Sequence, residues 1–235
     1  MACELSDPAS VQACVEAVRK DGAPLAAILC NAGIMALPKL ERAQGYEKQF
    51  FTNHIGHFTL VTGLLDALAG DGRVVMVSSH AHKGAPKAGV ELGNLSGERG
   101  YAPWAAYGQS KVANLLFARE LARRLGGTGK TANALHPGVI DTPLTRHMTP
   151  LVGIVYAAAG PIFLKSIPQG AATQCYLAAH PDAARFNGEY FADCNPAKSS
   201  PAGRDLELAA ALWTKSEEIV RRVGAAAAPG AAAAG

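Results

Sequence analysis

Tyr107 and Lys111 stand four residues apart in Ala106-Tyr107-Gly108-Gln109-Ser110-Lys111, a spacing that puts both side chains on one face of a helix. A phenol titrates near pH ~10. At neutral pH it therefore exchanges protons with a reacting oxygen only where a neighbouring cation favours the phenolate and brings its pKa down. The chemistry this pair implies is proton transfer to or from a hydroxyl or carbonyl oxygen. The same spacing also occurs on plain amphipathic helices, so the surrounding motifs must decide between the two readings.

Those motifs lie at the ends of strands. Arg73-Val74-Val75-Met76-Val77 is an apolar, β-branched run that stops at Ser78-Ser79, the pattern of a buried strand. A second run, Leu25 to Cys30, stops at Asn31-Ala32-Gly33, and a third, Thr131 to Leu135, stops at His136-Pro137-Gly138. Helical stretches separate them, which indicates one parallel sheet. In such sheets ligands bind beyond the carboxyl ends of the strands, where Ser79 would stand at the mouth of a site.

In this order the pieces resemble the short-chain dehydrogenase/reductase family: Asn31-Ala32-Gly33, Asn53-His54-Ile55-Gly56-His57-Phe58, Ser78-Ser79, Tyr107 through Lys111, and Pro137-Gly138 with Thr142. Asn53 through Phe58, the insert between Ser79 and Tyr107, and Lys111-Val112-Ala113-Asn114 are similar to the retinol-dehydrogenase-like branch. Gly188 to Cys194 is most like its plant and algal members, including the one associated with the chloroplast inner-envelope translocon. The resemblance covers residues 2–220. It implies that Tyr107 is the acid/base, that Ser79 orients the substrate oxygen with Ser78 structural, that Lys111 assists the tyrosine and holds the nicotinamide ribose, and that Asn53 completes the catalytic set. It further implies cofactor contacts from Asn31, Ala32, Gly33, Pro137, Gly138 and Thr142. The implied cofactor is NADP(H) or NAD(H), NADP(H) favoured, and the implied substrate is a lipophilic alcohol or carbonyl.

The family opens on a strand and a Thr-Gly-x-x-x-Gly-x-Gly turn whose backbone N–H groups hold a pyrophosphate, and no such turn occurs in this sequence. The expected architecture is an α/β, Rossmann-like, doubly wound parallel sheet that is N-terminally truncated, its first two strands and glycine-rich loop absent. Three expectations follow: weak cofactor binding, an unpaired edge on the Leu25 to Cys30 strand with apolar surface open on both faces, and self-association. The alternative function is a catalytically weakened interaction or regulatory protein with the same fold, such as a translocon-associated subunit. A sugar epimerase or dehydratase using the same Tyr/Lys pair fits the Asn53 and Ser79 segments less well.

Composition bounds the rest. With 235 residues, 49% hydrophobic and a net charge of +3, the chain suits one globular domain over residues 1–223, followed by a low-complexity disordered tail over 224–235. Scattered basic residues give no nucleic-acid footprint. Five cysteines without a C-x-x-C pair point away from a disulfide framework and toward a reducing, intracellular setting, which the resemblance implies is cytoplasmic or plastid-associated. The run Leu151 to Leu164 is short for a membrane span and reads as an apolar lid within Thr142 to Ser166; peripheral membrane contact and oligomerisation stay open. His54 with His57, and His80 with His82, lack a completing ligand, so no metal is expected and they are read as residues near the substrate mouth. The remaining expected elements are helices at Pro8 to Lys20, Tyr46 to Ala69 (interrupted near Asn53 and Gly56), Trp104 to Leu125, Gln169 to Ala179 and Asp205 to Val223, with a short strand at Glu189 to Ala192.

Overall fold

A computed structural model describes residues 2–138 and 165–227; Thr142 and the run Leu151 to Leu164 lie outside the described residues. The first helix, α1 (Pro8–Asp21), starts where Asp7 Oδ1 accepts the Ala9 N–H and stops at Gly22, which takes φ +75°, a conformation glycine adopts without penalty. Strand β1 (Leu25–Cys30) follows, then a two-residue ribbon of β2 (Arg42–Ala43) and β3 (Tyr46–Glu47). Helix α2 (Lys48–Phe50) runs into a π-helical segment (Phe51–Gly56) and α3 (His57–Leu64). Next come β4 (Leu68–Val77), α4 (Pro103–Arg124), β5 (Thr131–His136), α5 (Ile167–Ala179), β6 (Tyr190–Ala192), β7 (Asn195–Pro196) and α6 (Leu206–Ala227).

The main sheet has the order β1-β4-β5-β6-β7, parallel throughout except for the antiparallel β6–β7 pair. Alternation along β4 divides the core, as a period of two requires. Val74 and Met76 pack with Val15 of α1, Phe58 and Val61 of α3, and Leu121 of α4. Val75 and Val77 pack on the other face with Leu177 of α5 and Phe191 of β6. Both faces are thus covered, the pattern expected of a parallel sheet.

Three boundaries depart from the sequence reading. The long helix expected over Tyr46 to Ala69 ends at Leu64, because Tyr46 and Glu47 pair with β2 and strand β4 begins early, at Leu68. The glycines at 70 and 72 sit in a bulge of this strand, since Leu25 pairs with Leu68 but Ala27 pairs with Arg73. A Cβ on Gly72 would meet Leu68 Cγ at 2.5 Å, so this fold-back needs glycine. The last helix passes the expected boundary at Val223 and runs to Ala227. Finally, β1 has one strand neighbour among the described residues. Its apolar surface is open on one face rather than both: Ile28 and Cys30 are buried against α1 and α3, while Leu29 is 45% exposed.

Candidate active site

Helix α4 carries the reacting pair into the interior. Tyr107 is 8% exposed, Lys111 4% and Ser110 0%, and Gly108 lets the helix approach the turn after β4, where a Cβ would stand 2.6 Å from Ala81 O. Lys111 Nζ lies over the Tyr107 ring, 5.5 Å from its centroid, and donates to Val77 O at 3.2 Å. Asn114, one turn on, donates to the same carbonyl at 3.2 Å. Among the described residues the ammonium is therefore buried with a backbone oxygen and no carboxylate.

Burial dominates the electrostatics. It pushes the Lys111 pKa down to about 8 and raises that of Tyr107, whose hydrogen bond with Ser79 pulls the other way. The Lys111 ammonium bonds to Val77 O and faces the Tyr107 ring, while burial of the phenol sets the direction of its shift.

Ser78 and Ser79 take different partners. Ser78 Oγ, 2% exposed, donates to Lys111 O at 2.8 Å and ties β4 to α4. Ser79 Oγ faces Tyr107 and accepts from Ala81 N at 3.2 Å, which leaves its own proton for a second partner. His82, which the sequence reading placed at the mouth, is instead buried and holds Ser79. Its Nε2 accepts from Ser200 N at 3.0 Å, so Nδ1 carries the proton and donates to Ser79 O at 2.6 Å. This neutral form agrees with the pKa of His82 being lowered by burial.

The π-helical turn delivers Asn53. Its Nδ2 donates to Ile34 O at 2.9 Å and Ser110 Oγ at 3.0 Å, and its Oδ1 accepts from Ile34 N at 2.8 Å. Asn53 thereby clamps the segment after β1 to α4. Gly33 is the point of closest approach: a Cβ there would meet Asn53 Oδ1 at 2.8 Å and Lys111 Nζ at 3.6 Å. His54 and His57 flank Asn53 but are core residues, 1% and 2% exposed, not residues of the substrate mouth. His57 Nδ1 donates to Asn53 O at 2.9 Å. His54 Nε2 meets Ser216 Oγ of α6 at 2.8 Å. Burial lowers their pKa values to about 4 and about 3.

The expected cofactor contacts are placed unequally. Asn31, Ala32 and Gly33 end β1 and are exposed. Asn31 Oδ1 accepts from Gln174 Nε2 of α5 at 2.8 Å, so it ties a strand to a helix rather than two strands together. Pro137 and Gly138 end β5; Gly138 has φ +92° and a Cβ there would stand 2.6 Å from Lys165 Cδ. Thr142 lies outside the described residues. Lys165, paired with Asp193, was not singled out in the sequence, nor was Trp104, half exposed and edge-on to Tyr107 at 6.1 Å. The signal for Trp104 was available: it lies three residues before Tyr107 on the same helix.

A buried ammonium with no anion beside it among the described residues, and a glycine cradle against it at Gly33, fit the ribose and nicotinamide end of a dinucleotide. Chemically the arrangement can polarise a substrate oxygen through Ser79 and exchange its proton through Tyr107.

Comparison with known proteins agrees. The family model for short chain dehydrogenases matches residues 1–151. The chloroplastic short-chain dehydrogenase TIC 32 A of Brassica napus is 40% identical over 227 residues, 92% of this chain and 70% of that protein. Retinol dehydrogenase 12 of Mus musculus is 39% identical over 219 residues, 92% of this chain and 68% of that one. Among solved structures, a blue fluorescent protein from a metagenomic library, in complex with NADPH, aligns with a TM-score of 0.62 and 26% identity over 80% of this chain and 71% of its own.

Proposed function

The chain belongs to the short-chain dehydrogenase family, and from that premise we propose that it interconverts an alcohol and a carbonyl on a lipophilic substrate, with NADP(H) favoured over NAD(H). The observation that carries this reading is the convergence of Ser79, Tyr107 and Lys111 at the end of β4, with Asn53 locking the surrounding segments. In the reducing direction Ser79 donates a hydrogen bond to the carbonyl oxygen while the Tyr107 hydroxyl gives it a proton. Lys111 then faces a phenolate, so its buried charge gains the counter-ion it lacks at rest. In the oxidising direction the phenolate takes the alcohol proton. Lys111 and the backbone around Gly33 and Gly138 would hold the nicotinamide and its ribose, and that group supplies or accepts the hydride.

An apolar substrate is supported by the half-exposed Trp104 beside Tyr107 and by Ile167, 68% exposed at the start of α5. The relatives' names add retinol as one member of the class. Calorimetric titration with NADPH and NADH, followed by turnover of an aldehyde series of increasing apolar length, tests the proposal. Reduction that improves with apolar length supports it. Cofactor binding without turnover of any carbonyl would overturn it.

The exposure of Leu29 on β1, 45%, favours a second reading, an interaction subunit that keeps the fold. Failure of both cofactors to bind would select that reading.

A further inference from the structure

We propose that Cys3 and Cys14 form an oxidative modification site, joining as a disulfide when the protein meets a disulfide-class oxidant such as oxidised glutathione. Ser10 and Cys14 are four apart on α1 and share a face. The segment before the helix folds back along that face: Asp7 N bonds to Glu4 O at 3.0 Å, and Glu4 N donates to Ser10 Oγ at 2.9 Å. Cys3 directly precedes Glu4 on this segment, and its side chain is within hydrogen-bonding range of Cys14.

The other cysteines are placed differently. Cys30 is sealed in the sheet core, Cys175 is exposed on α5, and Cys194 meets Thr173 Oγ1 at 3.8 Å. Cys3 and Cys14 are both partly exposed, so a small reagent can reach them. Burial, and then Cys14 itself, push the Cys3 thiol up to about 11. Cys3 is therefore held mainly as the thiol at neutral pH, and its exchange with an oxidant speeds up as pH rises.

The exchange balances in two steps. One cysteine, as thiolate, attacks oxidised glutathione and releases one glutathione thiolate, leaving a mixed disulfide. The second loses its proton, attacks the protein sulfur and releases the second glutathione. Two protein thiols are oxidised and one glutathione disulfide is reduced to two thiols. The cross-link pins the segment containing Leu5, which is buried against Gly56 so closely that a Cβ there would lie 2.4 Å from Leu5 O. Oxidation therefore fastens the support of the π-helical turn that carries Asn53.

The test is to treat the native protein with oxidised glutathione, remove the reagent, and count thiols by alkylation and intact mass. The expected product has lost two hydrogens, keeps three of its five thiols, yields a Cys3–Cys14 cross-linked peptide, and melts several degrees higher until dithiothreitol is added. Cys14→Ser, with an unchanged circular dichroism spectrum, should remove the cross-link and the reducible rise in melting. Five free thiols after treatment, glutathione retained on either cysteine without a cross-link, or a cross-link between other residues would overturn the proposal.

Discussion

The end of β4 and the end of β1 present functional residues in opposite ways. At β4, Ser78, Asn53, Ser110 and Lys111 are each 4% exposed or less and are bonded across elements. At β1, Asn31, Ala32 and Gly33 are exposed at the edge of a sheet with one neighbour. Proton chemistry is thus fixed by the core, where displacing any one group would leave a buried polar atom unpaired. The β1 side instead presents its residues on an exposed surface. Neighbouring strand ends of one sheet can therefore fix some polar groups by burial and leave others open to solvent.

The largest expected effect comes from acid. His54 and His57 ordinarily titrate at 6.5, and burial holds them near 3 and 4. Below 6.5 the unfolded chain binds protons that the folded chain refuses, so stability falls as pH drops, by roughly 4 kcal/mol for the pair at about pH 5. Urea melts at several pH values measure this; a flat profile would show that these histidines are hydrated and that the β4 side is less sealed than described.

Tyr107→Phe comes next. Turnover at saturating cofactor should fall roughly 100-fold or more with no change in melting, because only the proton-transfer group is lost. Undiminished turnover would remove Tyr107 from the chemistry.

Lys111→Met separates function from stability on the β4 side. The lysine ordinarily titrates at 10.5 and burial lowers it to about 8, so the unfolded chain holds the extra proton between those values. Stability therefore climbs as pH rises through that window, and below it the buried charge costs its full amount. The methionine variant should be more stable at neutral pH by roughly 2 kcal/mol, after allowing for the lost bond to Val77 O. It should also lose the alkaline climb and turn over more slowly. Lower stability at neutral pH would mean that the ammonium is well solvated.

The smallest effect belongs to the edge. Leu29→Lys should alter stability by no more than about 0.5 kcal/mol, since Leu29 is 45% exposed. It should reduce self-association through the open strand, as read by light scattering. A large loss of stability would show that β1 is covered in solution.

Much of the β4 side could be read in the sequence because its residues are contiguous: Ser78-Ser79 end one apolar run, and Tyr107 and Lys111 share one helix face. The order of the strands, the long helix α4 and the role of Ser78 were legible for the same reason. Contacts made across the chain were not. Nothing local says that His82 reaches Ser200, that Asn114 shares a carbonyl with Lys111, or that Asn31 pairs with Gln174, 143 residues away. The early start of β4 at Leu68 was not legible because its first residues are joined to the rest through a glycine-containing bulge, which only the pairing with Leu25 defines.

The π-helical turn over Phe51–Gly56 makes this part of the chain intolerant of changes in length. A π turn holds about one residue more than an α turn, so deleting one residue there would let the helix return to regular winding with its flanking faces nearly in register. The turn would then lose the extra residue that sets Asn53 toward Ile34 and Ser110, and with it the clamp between the segment after β1 and α4. Descendants of this chain can exchange side chains around the turn, but they inherit its residue count.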